Sequence, residues 1–100
     1  MISSGLRVDE VQPGRPAVRE VGGRRIAVFN VDGRFFAVAD RCPHAGAVIA
    51  DGELDGVRLT CPLHGAVFDV RTGAVLRPPA NDPLTVFEVR VVDATLWLEP

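Results

Sequence analysis

The only two cysteines and the only two histidines of the chain stand in twinned short motifs, Cys42-Pro43-His44 and Cys61-Pro62-Leu63-His64. Each offers one thiolate and one imidazole, and sixteen residues separate His44 from Cys61. A Cys and a His two or three positions apart do not easily share one metal while a second pair does the same. They can reach two adjacent irons. The set Cys42, His44, Cys61 and His64 therefore reads as the ligands of a [2Fe–2S] cluster, with both cysteines on one iron and both histidines on the other. Tetrahedral zinc is the competing reading, since two Cys and two His suit it chemically. Zinc sites usually run Cys-x2–4-Cys before His-x3–5-His, and the order here is different.

The ligand types set the chemistry. Thiolate is anionic and imidazole neutral, so an added electron should settle on the histidine-bound iron. Two neutral ligands ease reduction relative to an all-cysteine cluster and place the potential at about −150 to +300 mV. Gly46 and Gly65 follow the histidines, where glycine allows a positive φ and close approach of backbone N–H groups. Such amides stabilise negative charge on sulfur. Pro43 and Pro62 fix φ after each cysteine and stiffen the loops. No residue looks like a general base or nucleophile beside an open site, so redox without substrate chemistry is expected, and the chain should not be an enzyme by itself.

These loops must be held by strands. The chain carries ten Gly and eight Pro in 100 residues, with abundant Val, a mixture that favours short β-strands and turns. No segment keeps a helical apolar period over three turns. An all-β fold is expected. Strand-like runs cover Arg25 to Val31 and Arg34 to Ala39 around Asp32-Gly33, a strong hairpin signal. Asp55-Gly56 marks a turn between Glu53-Leu54 and Val57 to Thr60. Ala66 to Val70 and Ala74 to Leu76 flank Arg71-Thr72-Gly73. Leu84 to Val92 and Thr95 to Leu98 follow, with a turn near Asp93-Ala94. Each cysteine then sits just beyond a strand end, where rigid elements commonly mount binding groups. Residues 1–100 are expected to form one domain.

Composition excludes several classes. A formal net charge of −2 suggests neither a nucleic-acid surface nor one for anionic membranes. All eleven basic residues are Arg. Met1 to Glu10 has no apolar run, so no secretory leader is expected. Arg24-Arg25 before Ile26 to Phe29 reads as a strand start and not as a twin-arginine signal. No stretch is long enough to span a bilayer. Reduced, metal-bound thiols fit a cytoplasmic location. Phe29, Phe35, Phe36, Phe68, Phe87 and Trp97, on alternating strands, are expected in the core. Pro43, Ala45, Pro62, Leu63 and Pro78-Pro79 are expected to form an apolar collar around the histidines. Asp40, Arg41, Asp51, Glu53, Asp55, Arg58 and Arg77 are candidates for its charged rim.

On these motifs the chain resembles the Rieske [2Fe–2S] family, in particular the Rieske-type ferredoxins of bacterial aromatic-ring oxygenase systems. The resemblance is strongest from Asp40 to Leu84. It implies a stack of small antiparallel sheets with a cluster-binding loop subdomain, the loops lying at about 40–48 and 60–68. It implies that Cys42, His44, Cys61 and His64 bind the cluster, the histidines through Nδ1. A proline-containing loop covers the cluster in the family, and Arg77-Pro78-Pro79-Ala80, within about 77–83, looks like it; a plain connector into Leu84 fits those residues equally. Family members of respiratory complexes carry a disulfide between the ligand loops, whose positions match Ala47 and Leu63 here. They also place Ser and Tyr hydroxyls near the cluster where this chain has Ala66 and Phe68. Losing two donors leaves the reduced cluster less stabilised, which implies a potential at the low end, roughly −150 mV.

The resemblance implies a one-electron carrier between an NAD(P)H-dependent ferredoxin reductase and a terminal oxygenase, and monomer is the default state for such a mobile carrier. The alternative is a small subunit fixed in a larger oxidoreductase such as nitrite reductase. A third reading is a non-redox module holding zinc or no metal.

Overall fold

The structure is a computed structural model that describes residues 2–43, 48–62, 65–78 and 82–99. Ten strands run in chain order: β1 (Ile2–Arg7), β2 (Ala17–Val21), β3 (Arg24–Val31), β4 (Arg34–Ala39), β5 (Glu53–Asp55), β6 (Arg58–Thr60), β7 (Val67–Asp69), β8 (Val75–Arg77), β9 (Val86–Val92) and β10 (Thr95–Glu99). Among the described residues the only helical pieces are two 3-10 turns, Val8–Glu10 and Ile49–Asp51. None is long and apolar enough to cross a membrane. The all-β expectation holds.

Six strands form one antiparallel sheet in the order β1-β10-β9-β4-β3-β2, and β5 to β8 form a second as a plain meander. The second sheet is an insertion between β4 and β9, which pair directly through Ala37↔Phe87 and Val38↔Val86. Both cysteines lie in that insertion. Ile2 of β1 lies 3.4 Å from where a Cβ on Gly22, just after β2, would stand, so the two outer strands of the larger sheet approach each other as it curls.

Turn chemistry fixes the register. Asp32 and Gly33 both have positive φ, at 52° and 84°, the two-residue arrangement whose twist suits a tight hairpin. It pairs Val31 with Arg34 and Ile26 with Ala39. Asp93 and Ala94 repeat it at φ 50° and 61° between β9 and β10. At the third turn the loop residues are Gly56 and Val57, because Asp55 still pairs with Arg58; Val57 is therefore a turn residue and not the start of β6.

Two apolar cores lie on opposite faces of β3 and β4. Ile26, Val28 and Ala37 face a core with Leu6, Val11, Val21, Phe87, Leu96 and Leu98. Ala27, Phe29 and Val38 face the other, with Ile49, Leu59, Ala66, Phe68, Val70, Leu84 and both cysteines. The unbroken apolar run Ile26 to Phe29 follows from burial on both faces. Of the aromatic residues, Phe29, Phe68 and Phe87 are buried, whereas Phe35, Phe36 and Trp97 are half-buried. Trp97 sits opposite Ser3 and Arg90 on β10 and belongs to neither core.

β1 and β2 have no counterpart among the sequence-based strands. In β1 the buried positions are Ser4 and Leu6, so a serine takes the place where the apolar alternation needs a hydrophobe. The Ser4 hydroxyl donates to the Leu96 carbonyl at 2.7 Å and accepts the Leu6 N–H at 3.0 Å, which removes the cost of burying it. β2 is an outer strand with a polar middle, Arg19-Glu20.

Candidate metal centre

Cys42 stands three residues beyond the end of β4, and Cys61 directly follows β6. Their exposures are 0% and 1%, and both pack in the same apolar cluster with Ile49, Leu59, Ala66 and Phe68. Neither is in a disulfide. Two reduced thiols converging from separate loops on one dry cluster are the sulfur half of the expected donor set. His44 and His64 lie outside the described residues, as do Ala45, Gly46, Ala47 and Leu63. Among the described residues no three His, Cys, Asp or Glu stand together as a metal site, as follows when both imidazoles are beyond them. The thiols present fit a [2Fe–2S] group: soft ligands, packed in one apolar cluster and screened from water.

The stem of each loop is closed by hydrogen bonds. In the second, the Cys61 N–H donates to the Ala66 carbonyl at 2.7 Å. Gly65 has φ +74°, the left-handed conformation that a glycine after His64 was expected to supply. In the first loop, the Asp40 carboxylate does the closing. Its Oδ1 accepts the Ala50 N–H at 2.8 Å and its Oδ2 accepts from Arg25 Nε at 2.7 Å. The Asp40 side chain is 0% exposed. Asp40 is thus no rim charge: its carboxylate is buried under the loop. The other rim candidates, Arg41, Asp51, Glu53, Asp55, Arg58 and Arg77, are exposed.

The loops also touch each other through backbone. Gly52, just after the 3-10 turn that ends the first loop, approaches Thr60, which precedes Cys61. A Cβ on Gly52 would lie 2.0 Å from the Thr60 carbonyl oxygen. The φ of Gly52 is an ordinary −76°, so space, not backbone freedom, demands glycine here.

Around the sulfurs the side chains are apolar. Ala66 and Phe68 are fully buried and bring no hydroxyl. Pro43, Pro62 and Pro78 are exposed, and Val48, at the exit of the first loop, adds apolar surface that the collar expectation omitted. Pro79, Ala80 and Asn81 of the proline loop lie outside the described residues. Its ends are anchored: Arg77 closes β8, and the Leu84 N–H donates to the Gly73 carbonyl at 2.8 Å.

One charge pair stiffens the β7–β8 turn. Arg71 donates from Nε and Nη2 to the Asp69 carboxylate at 3.1 and 2.8 Å, and its backbone N–H adds a third bond at 2.9 Å. The Arg71 side-chain bonds, against the opposing effect of burial, hold the Asp69 carboxyl below its usual pKa.

Sequence reasoning missed Asp40, Gly52 and the Asp69–Arg71 pair. Asp40 was findable. The Asp32-Gly33 turn fixes a register in which residue 25 falls opposite residue 40, which places an Arg beside an Asp.

Known proteins resemble this chain over most of its length. A family model, the Rieske [2Fe-2S] domain, matches residues 5–88. The biphenyl dioxygenase ferredoxin subunit of Pseudomonas sp. (strain KKS102) is 44% identical over 85 residues, covering 84% of this chain and 78% of that protein. The ferredoxin of carbazole 1,9a-dioxygenase from Nocardioides aromaticivorans IC177 superposes with a TM-score of 0.93 at 28% identity, over 100% of this chain and 98% of the other. A chain from the complex of reduced oxygenase and oxidized ferredoxin in carbazole 1,9a-dioxygenase gives a TM-score of 0.87 at 35% identity, over 95% and 98%. With its two buried thiols at adjoining loop stems, the chain belongs to the Rieske [2Fe–2S] family, and its cofactor is a [2Fe–2S] cluster.

Proposed function

We propose that this chain is the Rieske-type ferredoxin of an aromatic-ring dioxygenase system. It carries single electrons from an NAD(P)H-dependent ferredoxin reductase to a terminal oxygenase and catalyses nothing alone. The observation that carries the reading is the 44% identity, over most of both chains, to a dioxygenase ferredoxin subunit. The relative found in a complex of oxygenase and ferredoxin supports the oxygenase partner. The reductase is the electron source such a system requires. The whole chain serves as a single domain, cytoplasmic and monomeric, with loops 40–48 and 60–68 at the cluster and 77–83 beside it.

Cys42 and Cys61 would hold one iron and His44 and His64 the other. When bound, the cluster supplies reversible one-electron storage. The chain's own residues do the rest. Cys42 and Cys61 bring their sulfurs from a water-free core. The Cys61–Ala66 and Asp40–Ala50 bonds keep the loops from opening. Exposed Pro43, Pro62 and Val48 offer a small apolar contact surface, suited to brief encounters with a redox partner.

The test is spectroscopy of protein made with ample iron and sulfide. The expected result is two irons per chain and, after reduction, the EPR signal of a cluster with mixed Cys and His ligands. His64→Ala should lose it, because its iron keeps a single protein ligand. A colourless protein with stoichiometric zinc, or a His64→Ala protein with an unchanged spectrum, overturns the ligand assignment.

A further inference from the structure

We infer that Asp40 is a positioning residue that sets the spacing of the two cysteine loops. The inference rests on the ligand reading above and names the part of the protein that holds those ligands in register. Asp40 is joined to β3 twice: its N–H donates to the Arg25 carbonyl at 2.9 Å, and its Oδ2 accepts from Arg25 Nε at 2.7 Å. Its Oδ1 reaches across the first loop to the Ala50 N–H at 2.8 Å. Cys42 and His44 lie between these two attachment points. Ala50 belongs to the 3-10 turn Ile49–Asp51, and that turn leads into Gly52. Gly52 rests on the Thr60 carbonyl, and Thr60 is bonded to Cys61. One unbroken series of contacts therefore runs from Arg25 through Asp40, Ala50, Gly52 and Thr60 to the second cysteine.

A buried carboxylate is costly unless each oxygen is paired. Here both are, one by a guanidinium and one by a backbone amide. A merely space-filling role needs no charge, whereas a bridge between two donors needs an acceptor at each end. Carboxylate supplies two acceptors; Asn supplies one and turns a donor towards either Arg25 or Ala50. Serine is too short to reach both.

The test uses holoprotein variants Asp40→Ala, Asp40→Asn and Arg25→Gln, read by amide hydrogen exchange, the EPR line of the reduced cluster and the rate of iron release to a chelator. In Asp40→Ala the Ala50 amide should exchange about ten- to a hundredfold faster, the loss of one charge-assisted bond. Iron release should quicken, and the EPR line should broaden as the ligands sample several positions. The amides of Val28 and Leu96, in the other core, should keep wild-type protection. Asp40→Asn should fall between. Wild-type protection at Ala50 with an unchanged EPR line overturns the inference. So does equal loosening of Ala50, Val28 and Leu96, which marks a general structural role. Should Asp40→Ala not fold, Arg25→Gln decides: it keeps the backbone bond between residues 25 and 40 but removes the guanidinium that holds the Asp40 carboxylate in place, and an Ala50 amide unaltered there also overturns the inference. Exchange at Ala50 is read in metal-free protein too, so a wild-type chain that binds no iron defeats the ligand reading and leaves this one testable.

Discussion

Gly52→Ala is the sharpest probe of how the two cysteine loops meet. The added Cβ would stand 2.0 Å from the Thr60 carbonyl oxygen and 3.1 Å from both the Thr60 carbonyl carbon and the Ile49 carbonyl oxygen, while real Cβ contacts essentially never fall under 3.0 Å. Thr60 must therefore retreat by about 1 Å. It is not free to do so, because it is paired with Glu53 on one side and Val67 on the other. Overpacking of this kind costs about 1–3 kcal/mol, and a strained ladder bond adds about 1 kcal/mol. A loss of about 3 kcal/mol lowers the melting temperature of a chain this size by about 12–24 °C. Because Thr60 precedes Cys61, the cluster should also bleach earlier than the global melt. The assay is paired thermal scans by far-UV circular dichroism and by visible absorbance. Gly56→Ala is the control: Gly56 has φ +60° but open space where its Cβ would go, so it should cost about 1 kcal/mol from backbone strain alone and leave the cluster intact. A Gly52→Ala protein that melts within about 2 °C of wild type with full visible absorbance refutes the steric argument.

The Asp69 carboxyl is held below its ordinary pKa by Arg71. Its stabilising effect is therefore complete above the unfolded-state value of about 4 and is lost as pH falls through the lower folded-state value. Asp69→Asn should be less stable than wild type at pH 6, and the difference in urea midpoint should shrink below about pH 4; a constant difference refutes it. With Ala66 and Phe68 in place of hydroxyl-bearing residues, the midpoint potential should lie near the low end of the family range, about −150 mV, and a redox titration with a clearly positive midpoint refutes that. Introducing a hydroxyl by Ala66→Ser should move the midpoint upward in the same titration.

The sequence was most legible where turn chemistry dictates register. Asp32-Gly33 fixed β3 and β4 so firmly that β4 has the expected bounds Arg34–Ala39, and β3 gains only Arg24. Asp93-Ala94 set the inner ends of the last hairpin at Val92 and Thr95, whereas β9 begins at Val86 and not at the expected Leu84, and β10 runs on to Glu99. Legibility failed where a tertiary contact replaces a local rule. Ser4 occupies a core-facing position because the Leu96 carbonyl, at the far end of the chain, accepts its hydroxyl. β2 shows little alternation because it lies at the outside of the sheet with Arg19 and Glu20 exposed. Asp40 looked like surface charge because an Asp beside a loop usually is; its burial depends on Arg25 fifteen residues away. Gly52 resembled any loop glycine, and only the approach of Thr60 gives it a purpose. At the site itself, the twinned motifs led to the thiol pair that the structure buries, while His44 and His64 come from the motifs alone.

The placement of the cysteines explains why the fold uses both faces of β3 and β4. A four-stranded meander of three-residue strands has too little apolar surface to be stable by itself. It borrows Ala27, Phe29 and Val38 from the larger sheet to complete its core. In return the insertion covers those three residues, whose face of β3 and β4 would otherwise meet water, while Ile26, Val28 and Ala37 complete the larger sheet's second core on the other face. Stability is therefore shared between the sheet built by the chain ends and the insertion that carries Cys42 and Cys61. An electron carrier benefits from that shared core. Cys42 and Cys61 follow strands packed into that core, which mounts the thiols on ordered elements, while Pro43 and Pro62, next to them in the chain, are exposed.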